Sequence, residues 1–467
     1  MISCNTTYWV APFLLKLIIL LISIPSSSIH NLYALSIRSS PAMDSSDEKP
    51  MKKRRSSSDD DEHQPPPATN SSIQSLPQEI MADMISRLPI TSLVQFSFAC
   101  KSFKQLSRDP HLVNLHLSRT HAADPCLIFH TDYPLRNQLC FVQNLHDETQ
   151  KARRINIPFA ASMPEFSVVG SCNGLLCLSD SLLNQSLCVY NPFTGDYKVL
   201  PRFMEFEEQQ VVIGFGFHPV TKDYKVIRIV MYTNTYQGQV AVSPYQRRIG
   251  LRRYDRSNVQ VFSLASNLWR SIGKTPYLIA PKSSSVVLNG RWHCLSRLGR
   301  YHGVGRDRMI LSFDLADEQF REVQKPQFAP YPARFCSYHL VVLRDCLGVA
   351  FTTPPSYGGT LEIWAMKVYD VKESWVKEYT IASLCPPLRL FSYQDLTPYA
   401  IWTNVRFGRA FTVLCVLKNG EILIEYKNGG LVSYDPQTGT FKNLTFQGLP
   451  KLCKAIVHVG SLNWPDR

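Results

Sequence analysis

The chain has 467 residues, with 50 basic against 37 acidic side chains, a formal charge of +13, 45% apolar residues and 11% aromatics. Such a length exceeds one small core, the apolar fraction excludes a wholly disordered chain, and the basic balance favours acidic partners or a nuclear address without naming a ligand. The thirteen cysteines are scattered and include no Cys-x-x-Cys pair, so neither a zinc site nor a secreted disulfide framework is indicated, and a reducing compartment is expected.

Residues 1–42 carry an apolar run, Phe13–Ile24, interrupted only by Lys16. It is short against the roughly 20 residues that span a bilayer, and residues 1–8 lack the positive charge of a secretory leader. The expectation is that Met43 is the true start and that no membrane is a partner. An anchor with the Lys52–Arg55 cluster on the cytoplasmic side is the physically allowed alternative. Residues 43–72 are rich in Ser, Asp, Lys and Pro and nearly free of apolar side chains, so they cannot offset their ordering entropy and are expected to be disordered. Within them Lys52, Lys53, Arg54 and Arg55 resemble a nuclear-import cluster, and a solvated charge run reads the same way.

Residues 73–122 predict a compact helical module. Ser75 with Gln78 has capping-box spacing, Pro77 suits a first turn, and Pro89 ends the helix. Ile80, Met81, Met84, Ile85 and Leu88 recur at helical spacing, and Leu93, Phe96, Cys100 and Phe103 repeat the pattern after the break. So short a unit is expected to leave an apolar stripe that needs a partner. These residues resemble an F-box: Leu76-Pro77, Glu79, Ile85-Ser86-Arg87-Leu88-Pro89, Leu93, Phe96 and Cys100-Lys101-Ser102 stand where its pattern has them, while Ala99 and Phe103 replace the usual valine and tryptophan. The resemblance implies docking on the Skp adaptor of a cullin-based ubiquitin ligase. Leu76, Pro77, Ile80, Ile85, Leu88, Pro89, Leu93, Phe96, Cys100 and Phe103 then form the docking surface or its supporting core. Asp109-Pro110 reads as a cap and first-turn proline opening a linking helix through Leu117, with Leu112 and Leu115 on one side.

Over residues 123–467 short apolar runs alternate with Gly, Asn, Asp and Pro turns, so β structure is expected. A hairpin pattern recurs at Cys188–Leu200, Phe217–Ile227, Val261–Ile272, Leu311–Val323, Val368–Tyr379 and Ser433–Leu444, the last four starting about 50 to 65 residues apart. Repeats of that period stack radially because none can bury its apolar face alone. Tight strand pairs are expected at Val168–Leu178, Val286–Leu295 and Glu421–Tyr426, with Asn173-Gly174 and Asn289-Gly290 supplying type I′ turns. The expected fold class is therefore α+β multidomain: a small all-α helical module followed by a large all-β, propeller-like (kelch-like) domain. A large β-sandwich is the alternative. The phrases Gly170-Ser-Cys-Asn-Gly-Leu-Leu-Cys177 and Asn191-Pro-Phe-Thr-Gly195 are similar to those of the F-box-associated domain of plant F-box proteins, over most of residues 70–460. Read from their chemistry alone, they build turns.

No local spacing brings a nucleophile or metal ligand near a base, so no catalytic residue, cofactor or metal is nominated. His293 and His339 sit in apparent strands and read as core histidines, and Gly299–Gly305 lacks the phosphate-loop pattern. The candidate substrate surface is the interruption at Tyr236–Asn258, where Arg247, Arg248, Arg252, Arg253 and Arg256 would take an acidic or phosphorylated protein segment, helped by Arg297, Arg300, Arg306 and Arg308. Nucleic acid is the rival ligand for that surface and not the expected one. The resemblance thus implies a substrate-recognition subunit, reaching cullin through the adaptor, in the nucleus or cytoplasm. Its rivals are an F-box scaffold without a ligase role and a kelch-like enzyme.

Overall fold

A computed structural model describes residues 78–465 apart from 99–100, 134–136, 146, 148–149, 182–185, 205–208, 233–255, 281–283, 297–308, 328–336, 354–359, 382–410, 427–429 and 450–451. Four helices lead the described chain: α1 (Gln78–Ile85), α2 (Ile90–Ser97), α3 (Lys101–Leu106) and α4 (Pro110–His121). Strands β1 to β24 follow, from Cys126–Tyr133 to Leu452–His458, in six antiparallel four-stranded sheets.

Five sheets use consecutive strands: β4–β7 (Phe166–Val199), β8–β11 (Gln210–Gly273), β12–β15 (Val286–Val323), β16–β19 (Ser337–Ile381) and β20–β23 (Phe411–Leu444). The first is composite, in the order β24-β1-β2-β3, with β2 at Gln138–Val142 and β3 at Arg153–Ile155. The last strand of the chain is thus the innermost strand of the first blade. The innermost strands neighbour one another around a ring, and the result is a six-bladed propeller, which excludes the sandwich alternative.

The core is divided into six wedges, one between each pair of adjacent blades. In β5 (Leu175–Asp180) every residue is buried, because alternate side chains enter different wedges. Leu176 and Leu178 pack with Ile128 and Leu139 of the first blade, whereas Leu175 and Cys177 pack with Phe215 and Val226 of the third. This two-sided burial explains why the middle strands read as continuous apolar runs. The outermost strands, such as β7 (Tyr197–Val199) and β23 (Thr440–Leu444), have mainly exposed or half-buried residues.

Four of the recurring hairpin stretches fall on the outer part of a blade, joining its third strand to its fourth; Val368–Tyr379 holds only the turn after the third strand, Leu361–Met366, and most of the fourth, Trp375–Ile381. Phe217–Ile227 is a hairpin too, as expected, but it joins β8 to β9 (Asp223–Tyr232), the inner pair of the third blade. Glu421–Tyr426 is a single strand, β21 (Ile422–Tyr426), with the turn ahead of it at Asn419-Gly420. Asn173-Gly174 and Asn289-Gly290 do adopt the left-handed pairs of a type I′ turn, with φ of 47° and 85°, and 51° and 71°.

Antiparallel order within blades gives the propeller two distinct faces. Turns from first to second and from third to fourth strand open on one face; the second-to-third turns and the blade-to-blade connections open on the other, here called the distal face. Among the described residues no helix is long and apolar enough to cross a membrane, and no group of His, Cys, Asp and Glu could hold a metal ion.

Buried histidines tie neighbouring blades together. His293 Nε2 lies 2.7 Å from Tyr369 Oη, and His458 Nδ1 lies 2.9 Å from Ser171 Oγ. Burial pushes both rings down from 6.5, with nearby Arg291 adding to the effect at His293, to about 4 at His293 and about 3 at His458. Below pH 6.5 the unfolded chain takes up protons that these folded rings refuse, so their stabilising contribution is complete above pH 6.5 and is lost as pH falls toward 4. At one unit per about 1.4 kcal/mol, His293 alone accounts for a loss of about 3 kcal/mol. The melting temperature is expected to fall progressively from pH 7 to 4.5, and His293→Gln to flatten that slope. A wild-type slope in the variant would count against the assignment.

Candidate functional site

The helical module packs around Ala82, Ile85, Leu88, Ile90, Leu93, Phe96, Leu106, Leu112 and Val113. Ala82, Ile85 and Leu88, and again Ile90, Leu93 and Phe96, recur every three residues, which puts them on the inner faces of short helices. Phe103 stacks on Phe96 with ring centroids 3.7 Å apart. Asp109 caps α4, its Oδ1 accepting from His111 N at 2.9 Å. From the last turn of α4, Arg119 donates to Asp83 O at 2.6 Å and also to the Asp83 carboxylate and Ser86 Oγ. Hydrogen bonds from Arg119 and then Arg87 hold the Asp83 carboxyl below its ordinary value. His116 Nε2 contacts Leu88 O at 3.2 Å, and burial keeps that ring neutral by lowering its pKa.

This packing sorts the ten residues nominated from the sequence. Ile85, Leu88, Leu93 and Phe96 are buried and belong to the supporting core, and Phe103 packs against it half-buried. Ile80 is 49% exposed and Pro89 is also exposed. Leu76, Pro77 and Cys100 lie outside the described residues, as do Ser75 and Ala99. Phe98 was not nominated, yet it is 80% exposed just past the end of α2. The signal was present: Phe98 falls off the face shared by Leu93 and Phe96. Ile80 and Phe98 are large apolar side chains that the module's own fold leaves in water.

Part of the expected unpartnered stripe is covered from within the chain. Beyond β24, the strap Gly460–Trp464 crosses the propeller face opposite the distal one and inserts Leu462, 2% exposed, into the module core beside Phe193. A Cβ at Gly460 would lie 2.6 Å from Ile90 Cγ2, so only glycine permits this approach. Asn191, fully buried, fastens the strap: its Nδ2 donates to Ser461 O and Asn463 O at 2.9 Å, while its Oδ1 accepts from Phe193 N at 2.9 Å and Thr194 N at 3.2 Å. Asn463 Nδ2 in turn donates to Asn173 O at 3.2 Å and to Tyr224 Oη. Further ties join His121 Nε2 to Asn173 Oδ1 at 3.1 Å, Thr91 Oγ1 to Gln143 Oε1 at 3.3 Å, and Lys418 N to Asp124 Oδ1 at 2.8 Å. The two phrases read above as turns therefore also seat the module.

Residues 126–461 match the model of the F-box associated beta propeller domain, and residues 73–114 that of an F-box-like segment. The chain belongs to the plant F-box proteins that carry an F-box associated propeller. It is 43% identical over 406 residues to the F-box protein At3g07870 of Arabidopsis thaliana, covering 84% of this chain and 93% of that one. The F-box protein CPR1 of the same plant is 26% identical over 407 residues, covering 83% and 88%. A kelch-repeat relative, the F-box/kelch-repeat protein At3g23880, is 24% identical over 330 residues, covering 67% and 81%.

Arg247, Arg248, Arg252 and Arg253 lie outside the described residues, as do Arg297, Arg300, Arg306, Arg308 and the Lys52–Arg55 cluster. Arg256 opens β10 (Arg256–Ser263), exposed, at the end of the strand that meets the distal face.

Leu462→Ala is expected to remove about 2 to 5 kcal/mol from the contact between module and propeller, and Asn191→Ala to release the strap. Hydrogen exchange should then rise in α1, α2 and α4 while β5 and β14 (Ile310–Asp314) stay protected. Unchanged exchange in the helices would refute the strap's role.

Proposed function

We propose that this chain is the substrate-receptor subunit of an SCF-type ubiquitin ligase, in which the F-box docks on the Skp adaptor and, through it, on cullin, while the propeller holds a target protein. The carrying observation is that a folded F-box module, anchored to one face of the propeller, still presents Ile80 and Phe98 to solvent. Covering such side chains on binding is favourable by about 25 cal/mol per Å². The chain itself catalyses no step in this reading. It supplies proximity, raising the effective concentration of target lysines near the charged ubiquitin carrier.

A fixed seat for the module suits that role, because a receptor that flexed freely at this joint would dilute the effective concentration it provides. The distal face is the proposed target-holding side, since the module occupies the opposite one. Nine described cysteines are free thiols, six of them buried, which supports a reducing compartment, nucleus or cytoplasm.

Ile80→Glu with Phe98→Glu is expected to lower adaptor pull-down at least tenfold with no loss in melting temperature, since both side chains are exposed. Leu88→Ala with Phe96→Ala should also abolish pull-down, but by unfolding the module. Wild-type retention of the adaptor by both double variants would end the proposal. A fluorescent fusion in which residues 52–55 are all alanine should lose nuclear enrichment relative to wild type; equal distribution would remove that cluster's proposed role.

A further inference from the structure

On the distal face, between the outer part of the first blade and the connection into the second, lies a groove of about 500 Å³. Gln138 at the start of β2, Arg154 in β3, and Asn156, Ile157, Ala160 and Pro164 of the following connection line it, together with Asn137. Its walls are preset. Asn137, left-handed at φ 57°, donates through Nδ2 to Pro164 O and accepts at Oδ1 from Phe166 N at 3.3 Å. Tyr190 Oη donates to Asn156 O at 2.5 Å. Asn137 thus ties the second-to-third turn of the first blade to the connection that forms the other wall, and Tyr190 pins that connection to the second blade, so a ligand would meet a formed site and lose little ordering entropy.

Among the described residues the lining carries one charge. Arg154 is exposed, and among the described residues it has no ion pair, nor does the groove contain a carboxylate. Amides of Asn137, Gln138 and Asn156 and the apolar surfaces of Ile157 and Pro164 complete it. We infer that this groove binds an extended acidic peptide segment, its Asp or Glu carboxylate paired with the Arg154 guanidinium and a neighbouring apolar side chain laid over Ile157 and Pro164. A single guanidinium matches one carboxylate, in bidentate fashion. A phosphate dianion would be left half-compensated, and a nucleic-acid backbone would need a track of cations. The inference deepens the receptor reading and rests on it for its biological sense, but its chemistry is tested apart from the adaptor.

The test is selection of a randomised nine-residue peptide library on the full-length protein, followed by fluorescence anisotropy of the enriched peptides. Wild type should enrich Asp or Glu at one position, with at least a tenfold loss when that residue becomes Gln or Asn. Arg154→Glu and the groove-filling Ala160→Trp should abolish the enrichment, and Arg154→Lys should retain the acidic preference. A library showing no acidic preference, or the same enrichment on Arg154→Glu, overturns the inference. So does a phosphoserine peptide binding tenfold tighter than its Glu counterpart. Arg154→Glu should leave adaptor pull-down at the wild-type level, so failure of the groove and failure of the ligase reading remain separable.

Discussion

The pairing of β24 with β1 is the interaction on which the rest of the structure depends. It joins the last strand of the chain to the first in a register running from Cys126↔His458 to Thr131↔Cys453, with Tyr133↔Leu452 beyond a shift. Without it the composite first blade lacks its innermost strand, and the wedges on either side of that blade lose a wall. The same segment then continues as the strap that carries Leu462 into the helical module. Ring closure and module seating are therefore consecutive consequences of one length of chain, and an error at the C-terminus reaches the F-box although more than 300 residues separate them in sequence.

The polar economy of this joint is as tight as its apolar packing. Asn191 places all its hydrogen-bonding capacity on backbone groups, two carbonyls of the strap and two N–H groups of its own turn. A buried amide so satisfied costs little and specifies one arrangement, whereas an apolar residue of the same size would leave two strap carbonyls without these donors. His458 adds a ring stacked on Phe193, with centroids 5.8 Å apart. At its centre, around Asn191, Leu462 and His458, the joint is thereby a neutral, desolvated contact whose strength depends on packing rather than on screened surface charge.

Much of the fold was legible because its signals are local. Helical spacing and the prolines located the module, and Asp109-Pro110 marked the start of α4, although that helix runs on to His121. The Asn-Gly pairs marked two inner hairpins, since left-handed backbone is cheap only for such residues. The hairpin at Phe217–Ile227 read the same as the outer ones because a sheet's inner and outer pairs share the same strand-turn-strand pattern. What separates them is which neighbours cover their faces. The candidate site was legible only in part: the F-box positions were named, but buried and exposed members were not distinguished, and Phe98 was missed because it lies off the repeating stripe.

Sequence alone determined the order of the parts, the helical module before a repeating β domain, and the turn chemistry that starts and stops each element. These depend on neighbours a few residues apart. Tertiary structure decided the blade count, the identity of the closing strand and the use of Asn191, Phe193 and Leu462 as the seat of the module. Burial and hydrogen-bond partnership are pairwise properties of distant segments, and a residue such as Leu462 carries no mark of the helix it will meet until the ring has closed and brought the two together.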